Sequence, residues 1–170
     1  MQDVITEAGL SVGAVYRYFK SKNELITAIA ETVLDGADQM FDEVAAQEPP
    51  DSLVEAMDRA LAFVDTQTGP DGMFPLALQV WAEAQRDPGL AAFVAEKYSA
   101  LRRQFVALAS RAQAAGELPP DADVTAVGAV LFGMLPGYAL QRTLGAGPDK
   151  NSYLHGVRAL ITDRIKSTAG

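Results

Sequence analysis

Arg17, Lys20 and Lys22 sit close together in the chain, interleaved with Tyr16, Tyr18 and Phe19, and no acidic residue falls between Leu10 and Asn23. Ammonium and guanidinium groups neutralise phosphate, and phenol hydroxyls donate to its oxygens, so this cluster has the chemistry of a nucleic-acid contact. The net charge is −8; less the +3 of this segment, the rest of the chain carries −11. Such a body repels a polyanion at long range. Phosphate contacts, however, act within about a Debye length, roughly 8 Å at physiological salt. A local basic edge can therefore bind while the acidic remainder stays in solvent.

The elements that must position this cluster are two short helices and the start of a third. Residues from Gln2 to Ala8 read as a helix stopped at Gly9, a residue suited to the left-handed turn conformation. Leu10 plugs the small core under the turn, and Ser11 is placed to cap a second helix from Val12 to about Phe19. Val15 and Phe19 read as core. Ser21 and Glu24 form an S-x-x-E capping box ahead of the apolar pair Leu25 and Ile26. Two compact helices joined by a Gly-containing turn are the shape that sets a helix into a major groove.

These residues resemble the DNA-binding motif of the TetR family of bacterial transcriptional regulators. The matching positions are Ile5, Ala8, Gly9, Leu10, Ser11, Gly13, Val15, Tyr16, Tyr18, Phe19, Ser21, Lys22, Glu24 and Leu25. The resemblance implies an all-α protein. A helix-turn-helix domain, residues 1–30, would join through a long helix to a ligand-binding and dimerisation domain, residues 31–170. It also implies a first helix ahead of Met1, so residues preceding those given are expected. The alternative is a shortened product that has lost DNA binding and serves as a dimeric module sequestering a ligand or partner. Carried over by position, Ser11, Gly13 and Ala14 approach the groove, and Tyr16 and Lys22 grip phosphate. Arg17 and Tyr18 face DNA, and Arg17 can make a bidentate contact to guanine. The implied partners are a double-stranded, pseudo-palindromic operator, a small apolar effector and a second copy of the chain. No metal or cofactor is expected.

Helical spacing runs through the rest of the chain. A long helix is predicted from Lys22 to about Gln47, broken by Pro49 and Pro50. Another follows, capped by Asp51 or Ser52, with Leu53, Met57, Leu61 and Val64 on one stripe. After the turn at residues 68–72 comes a helix from about Phe74 to Arg86. Asp87 and Pro88 are the cap and first position of a further long helix ending at Gly116.

Met57, Phe63, Phe74, Leu78, Trp81, Phe93, Tyr98, Phe105, Phe132 and Met134 are many large side chains for a few helices to enclose. Linings rich in aromatic and Met side chains suit an apolar effector. Met57, Phe63, Leu78, Trp81, Tyr98, Phe105 and Met134 are taken as its candidate contacts, Trp81 foremost for its size and indole donor.

In a helix from about Ala122 to Leu144, Ala129, Gly133 and Gly137 recur every four residues and open a groove for another helix. Pro136 is expected to kink it. The last helix, Ser152 to about Lys166, presents a seam of Leu154, Val157, Ile161 and Ile165. Paired across two chains, these helices would form a four-helix bundle. The alternative is that both stripes belong to the core of one chain.

Enzymatic chemistry finds little support. There is no cysteine, and the sole histidine, His155, has no metal-ligand motif around it. Gly145-Ala146-Gly147 reads as a helix-ending turn rather than a phosphate loop. The apolar runs look too interrupted to span a bilayer. With no signal pattern after Met1, a cytoplasmic protein with no membrane partner is expected.

Overall fold

The computed structural model describes residues 50–69 and 72–166, with side chains to 161, together with residues 19, 24, 25, 27, 28, 31, 39–44, 46 and 47. Among the described residues there is no strand. Among the described residues five complete helices follow one another: α1 Leu53–Gln67, α2 Phe74–Ala84, α3 Pro88–Ala114, α4 Val124–Thr143 and α5 Lys150–Lys166. Residues 24, 25, 27, 28, 31 and 39–44, all within the predicted connector, are helical too.

Local chemistry sets the helix boundaries. Ser52 caps α1 in a reciprocal capping box: its hydroxyl accepts from the Glu55 N–H while the Glu55 carboxylate accepts from the Ser52 N–H at 2.8 Å. Asp87 accepts from the Gly89 and Leu90 N–H groups at the start of α3, with Pro88 at its first position. Asp123 does the same for α4, and Asp149 accepts from the Ser152 N–H in the first turn of α5. At its far end α3 closes where Gly116 takes φ 79°, and the Glu117 N–H reaches back to the Ala112 carbonyl at 2.8 Å. Gly145, at φ 67°, ends α4 in the same way.

These helices bury one continuous apolar core. Ala56, Met57, Ala60 and Leu61 of α1 meet Phe105, Leu108 and Ala112 of α3, Leu131, Leu135 and Tyr138 of α4, and Val157 of α5. Each large side chain so buried contributes about 1.5–3 kcal/mol. Phe41 and Val44 join it from the helical residues 39–44, while α2 is held to α3 by a smaller cluster around Val80 and Leu90. Helices α3 and α4 come close because Gly128 has no side chain. A Cβ there would lie 2.7 Å from the Val106 backbone nitrogen and 2.8 Å from its Cα.

Helix α4 is long and apolar enough to cross a membrane by length and composition, contrary to the sequence reading that the runs are too interrupted. Two faces account for its apolarity. Gly128, Leu131, Leu135, Tyr138 and Ala139 face the core. On the opposite side Val130, Leu140 and Leu144 are exposed, beside Ala129 and Gly133.

Polar ties lock α1 to the C-terminal pair. The Tyr138 hydroxyl donates to Asp65 Oδ1 at 2.6 Å, and Arg142 Nε reaches the same oxygen at 3.2 Å. Lys150 of α5 pairs with Asp58. Tyr153 donates to the Met134 carbonyl at 3.0 Å, in the turn where Pro136 interrupts the helical ladder.

Candidate functional site

Between the helical residues 39–44 and helices α1 to α4 lies a cavity of about 140 Å³. Its walls are Met40 and Phe41; Phe63, Val64 and Gln67 of α1; Met73 before α2, with Phe74, Ala77 and Trp81 of that helix; Tyr98, Leu101 and Phe105 of α3; and Phe132, Leu135, Pro136 and Ala139 of α4. A dry cavity of about 150 Å³ holds benzene, which sets the scale of a guest.

Six of the wall rings meet in sequence, edge to face or tilted. Phe74 meets Trp81 at 5.6 Å between centroids, Trp81 meets Tyr98 at 6.1 Å, and Tyr98 meets Phe132 at 5.4 Å. Phe132 continues to Phe105 at 5.9 Å and Phe105 to Phe41 at 4.9 Å. The geometry follows from the ring quadrupole, negative on the face and positive at the edge. None of the described wall residues carries a charge, and among them Gln67, Trp81 and Tyr98 supply the polar side-chain atoms. Desolvation pushes the Tyr98 phenol up to about 12, against the lowering effect of the Trp81 indole donor, so it stays a neutral hydroxyl at physiological pH.

Of the seven side chains proposed from the sequence, Phe63, Trp81, Tyr98 and Phe105 line this cavity. Met57 does not: it is fully buried in the core contributed by α1. Leu78 is half-buried on α2 but is not part of the wall, because Ala77 and Trp81 occupy the side of α2 that faces it. Met134 lies on the other side of α4 and lines a second apolar depression, with Leu131, Val130, Leu160 and Ile161. The wall residues Met40, Phe41, Val64, Gln67, Met73, Ala77, Leu101, Leu135 and Ala139 were not singled out from sequence. Val64 belongs to an apolar stripe there, but a stripe does not say which of its members borders a void. Pro136, expected to kink α4, stands in the wall.

The two stripes proposed for dimerisation divide. Ala129 and Gly133 are exposed and Gly137 is half-buried; a Cβ at either glycine would meet nothing within 4 Å. On α5 the proposed seam faces inward instead. Val157 is 3% exposed, and Leu154 and Ile161 pack on the same core. The outward face of α5 carries Gly156, Ala159 and Leu160, the last 67% exposed. The Ile165 side chain lies outside the described residues. So do all the proposed DNA contacts, Ser11, Gly13, Ala14, Tyr16, Arg17, Tyr18 and Lys22. Of that motif's neighbours, Phe19 is half-buried, and Glu24 and Leu25 are helical.

Comparison with known proteins meets this geometry from both ends of the chain. Residues 1–29 match the family described as bacterial regulatory proteins, tetR family, and residues 57–166 match the BetI-type transcriptional repressor, C-terminal. The chain belongs to the TetR family. It is a ligand-responsive, DNA-binding transcriptional regulator, wholly helical among its described residues. Among solved structures it is similar to Salmonella enterica GusR, with a TM-score of 0.69 and 23% identity over 98% of this chain and 84% of that one. That likeness is one of fold. No curated protein sequence matches the chain.

Proposed function

We propose that this TetR-family chain is a cytoplasmic, homodimeric repressor released from a pseudo-palindromic operator when a small apolar molecule enters the aromatic cavity. The observation that carries this reading is the cavity itself: an aromatic-walled space among helices α1 to α4, with no charge among its described wall residues, in the part of the chain that follows the DNA-binding segment. Residues 1–30 form the DNA-binding domain and residues 31–170 the ligand-binding and dimerisation domain. Ser11, Gly13 and Ala14 approach the groove, Arg17 and Tyr18 face the bases, and Tyr16 and Lys22 hold phosphates.

The exposed apolar face of α4 supports the dimer. Ala129, Gly133 and Gly137 let a second helix approach, with Val130 and Leu140 flanking them. Gly156 and Leu160 of α5 extend the face in place of the inward seam. Two such pairs across a two-fold axis make a four-helix bundle, and the axis spaces two recognition helices by one turn of DNA or a multiple of it.

Met40 and Phe41 supply the link between effector and DNA. They lie in the predicted connector toward the DNA-binding segment and also line the cavity, where Phe41 packs on Phe105. A guest that displaces this contact moves the connector and with it the spacing of the recognition helices. A hundredfold loss of DNA affinity requires about 2.7 kcal/mol of differential binding between the two conformers. The described wall residues are those of an apolar binding site, with no acid–base pair or nucleophile among them, and the sole histidine, His155, is exposed on α5.

The test is operator affinity, measured by fluorescence anisotropy with and without a cavity-filling variant. Ala77→Phe fills the space from α2. The reading expects it to change DNA affinity or to abolish effector response. Unaltered DNA binding together with full effector response would reject the cavity as the control site.

A further inference from the structure

The cavity specifies more than apolarity, and the following inference rests on the effector reading above. Phe41, Phe63, Phe74, Trp81, Tyr98, Phe105 and Phe132 all contribute to its wall, and six of them form the edge-to-face series. Such a wall offers both electropositive ring edges and electronegative ring faces. A flat arene can meet both kinds at once, by offset stacking and by T-shaped contact. A saturated guest of equal volume gains only the area term. The volume, about 140 Å³, matches a guest of one ring with a small substituent.

Charge is excluded by the wall composition. A carboxylate or ammonium entering this space gives up hydration with no countercharge among the described wall residues. Hydrogen bonding is sparse but specific. The Gln67 amide nitrogen donates to Thr66 Oγ1 at 3.1 Å. Among the described wall residues Tyr98 alone carries a hydroxyl, and a phenol can donate its proton to a guest.

We propose that the effector is a neutral, single-ring arene bearing one oxygen acceptor, an aryl ether or aryl carbonyl in class, whose oxygen accepts from Tyr98. Trp81 is the only tryptophan in the chain and stands in the wall, so its emission reports occupancy directly. The full chain is titrated with anisole, toluene, benzoate and cyclohexyl methyl ether, and then again as Tyr98→Phe, which keeps the ring and removes the hydroxyl.

The expected result is a saturable Trp81 signal with anisole. Benzoate binds about tenfold or more weakly, and cyclohexyl methyl ether several-fold more weakly. Anisole exceeds toluene by about fivefold, an advantage that disappears in Tyr98→Phe. Benzoate or the saturated ether binding as tightly as anisole would overturn the inference. An anisole preference that survives in Tyr98→Phe would overturn it too, as would failure of either arene to saturate.

Operator release, followed separately by anisotropy of labelled DNA, tells the two levels apart. Anisole that binds without altering DNA affinity leaves the ligand class standing and rejects the effector role. A saturated guest that binds better and releases DNA rejects the ligand class and keeps the effector role.

Discussion

Removing one oxygen from Tyr138 probes how α1 is held to α4. The ring is fully buried, its hydroxyl donates to Asp65 Oδ1 at 2.6 Å, and it lies tilted against the Tyr153 ring at 4.9 Å between centroids. Burial first and the Asp65 bond second raise the phenol above its ordinary range, so the hydroxyl remains a donor at any pH the cell reaches. Tyr138→Phe leaves the packing and deletes the bond. A hydrogen bond to a charged acceptor is worth about 1.5–3 kcal/mol. Asp65 keeps Arg142 at 3.2 Å, and its side chain is 36% exposed, so water replaces part of what is lost. The lower end, about 1.5 kcal/mol, is the expected loss, with a fall in Tm of roughly 3–6 °C for a domain of this size. Urea unfolding at one fixed protein concentration measures it, because the stability of a dimer depends on concentration. The Asp65→Asn variant and the double variant complete a cycle, with about 1 kcal/mol of coupling expected. An unchanged midpoint, or a double variant that is simply additive, would refute the claim that this bond ties α1 to α4.

Gly128→Ala and Gly133→Ala should behave oppositely. The first drives a methyl into the Val106 backbone and should cost about 1–3 kcal/mol, whereas the second enters open space and leaves monomer packing intact. Gly133→Arg should instead shift a dimer to monomer in analytical ultracentrifugation, with the circular dichroism unchanged. In alkali, Tyr98 contributes stability that is fully present below pH 10 and lost as pH rises to about 12, because folding raises its pKa. Tyr98→Phe should therefore flatten the decline in chemical stability over that window. In acid the sign reverses. Asp149 and Glu55 are held below their ordinary values by their bonds to Ser152 and Ser52, so the stability they add is present above about pH 4.5 and lost as pH falls further. Asp149→Asn should make the acid limb of a pH–stability profile shallower.

What the sequence disclosed follows the range of the interaction. Ser52 with Glu55, Asp87 with Pro88, and the turns at Gly116 and Gly145 were legible because each cap depends on residues a few positions away. Phe63, Trp81, Tyr98 and Phe105 were found as cavity candidates by size and aromatic character. Met57 and Met134 are large as well but point elsewhere, since the rotation of each helix about its axis is set by packing that no local pattern encodes. The small-residue stripe of α4 shows the same limit. Ala129, Gly133 and Gly137 stood out by their spacing, yet the α4 glycine pressed against another helix of the chain is Gly128, one position off the stripe. On α5 the inward seam of Leu154, Val157 and Ile161 was legible as a stripe, and which side it faced was not. Carboxylate partners such as Asp65 for Tyr138, 73 residues away in the chain, leave no trace in sequence spacing.

The most direct test of the regulator reading is selection of duplexes from a random DNA pool by the full chain, its N-terminus verified by mass, followed by anisotropy at several salt concentrations. The expected result is enrichment of a two-fold pseudo-palindrome whose affinity for the protein falls steeply as salt rises and is lost in Arg17→Ala and Lys22→Ala. A pool that yields no preferred sequence, or binding indifferent to salt and to those two substitutions, would contradict it.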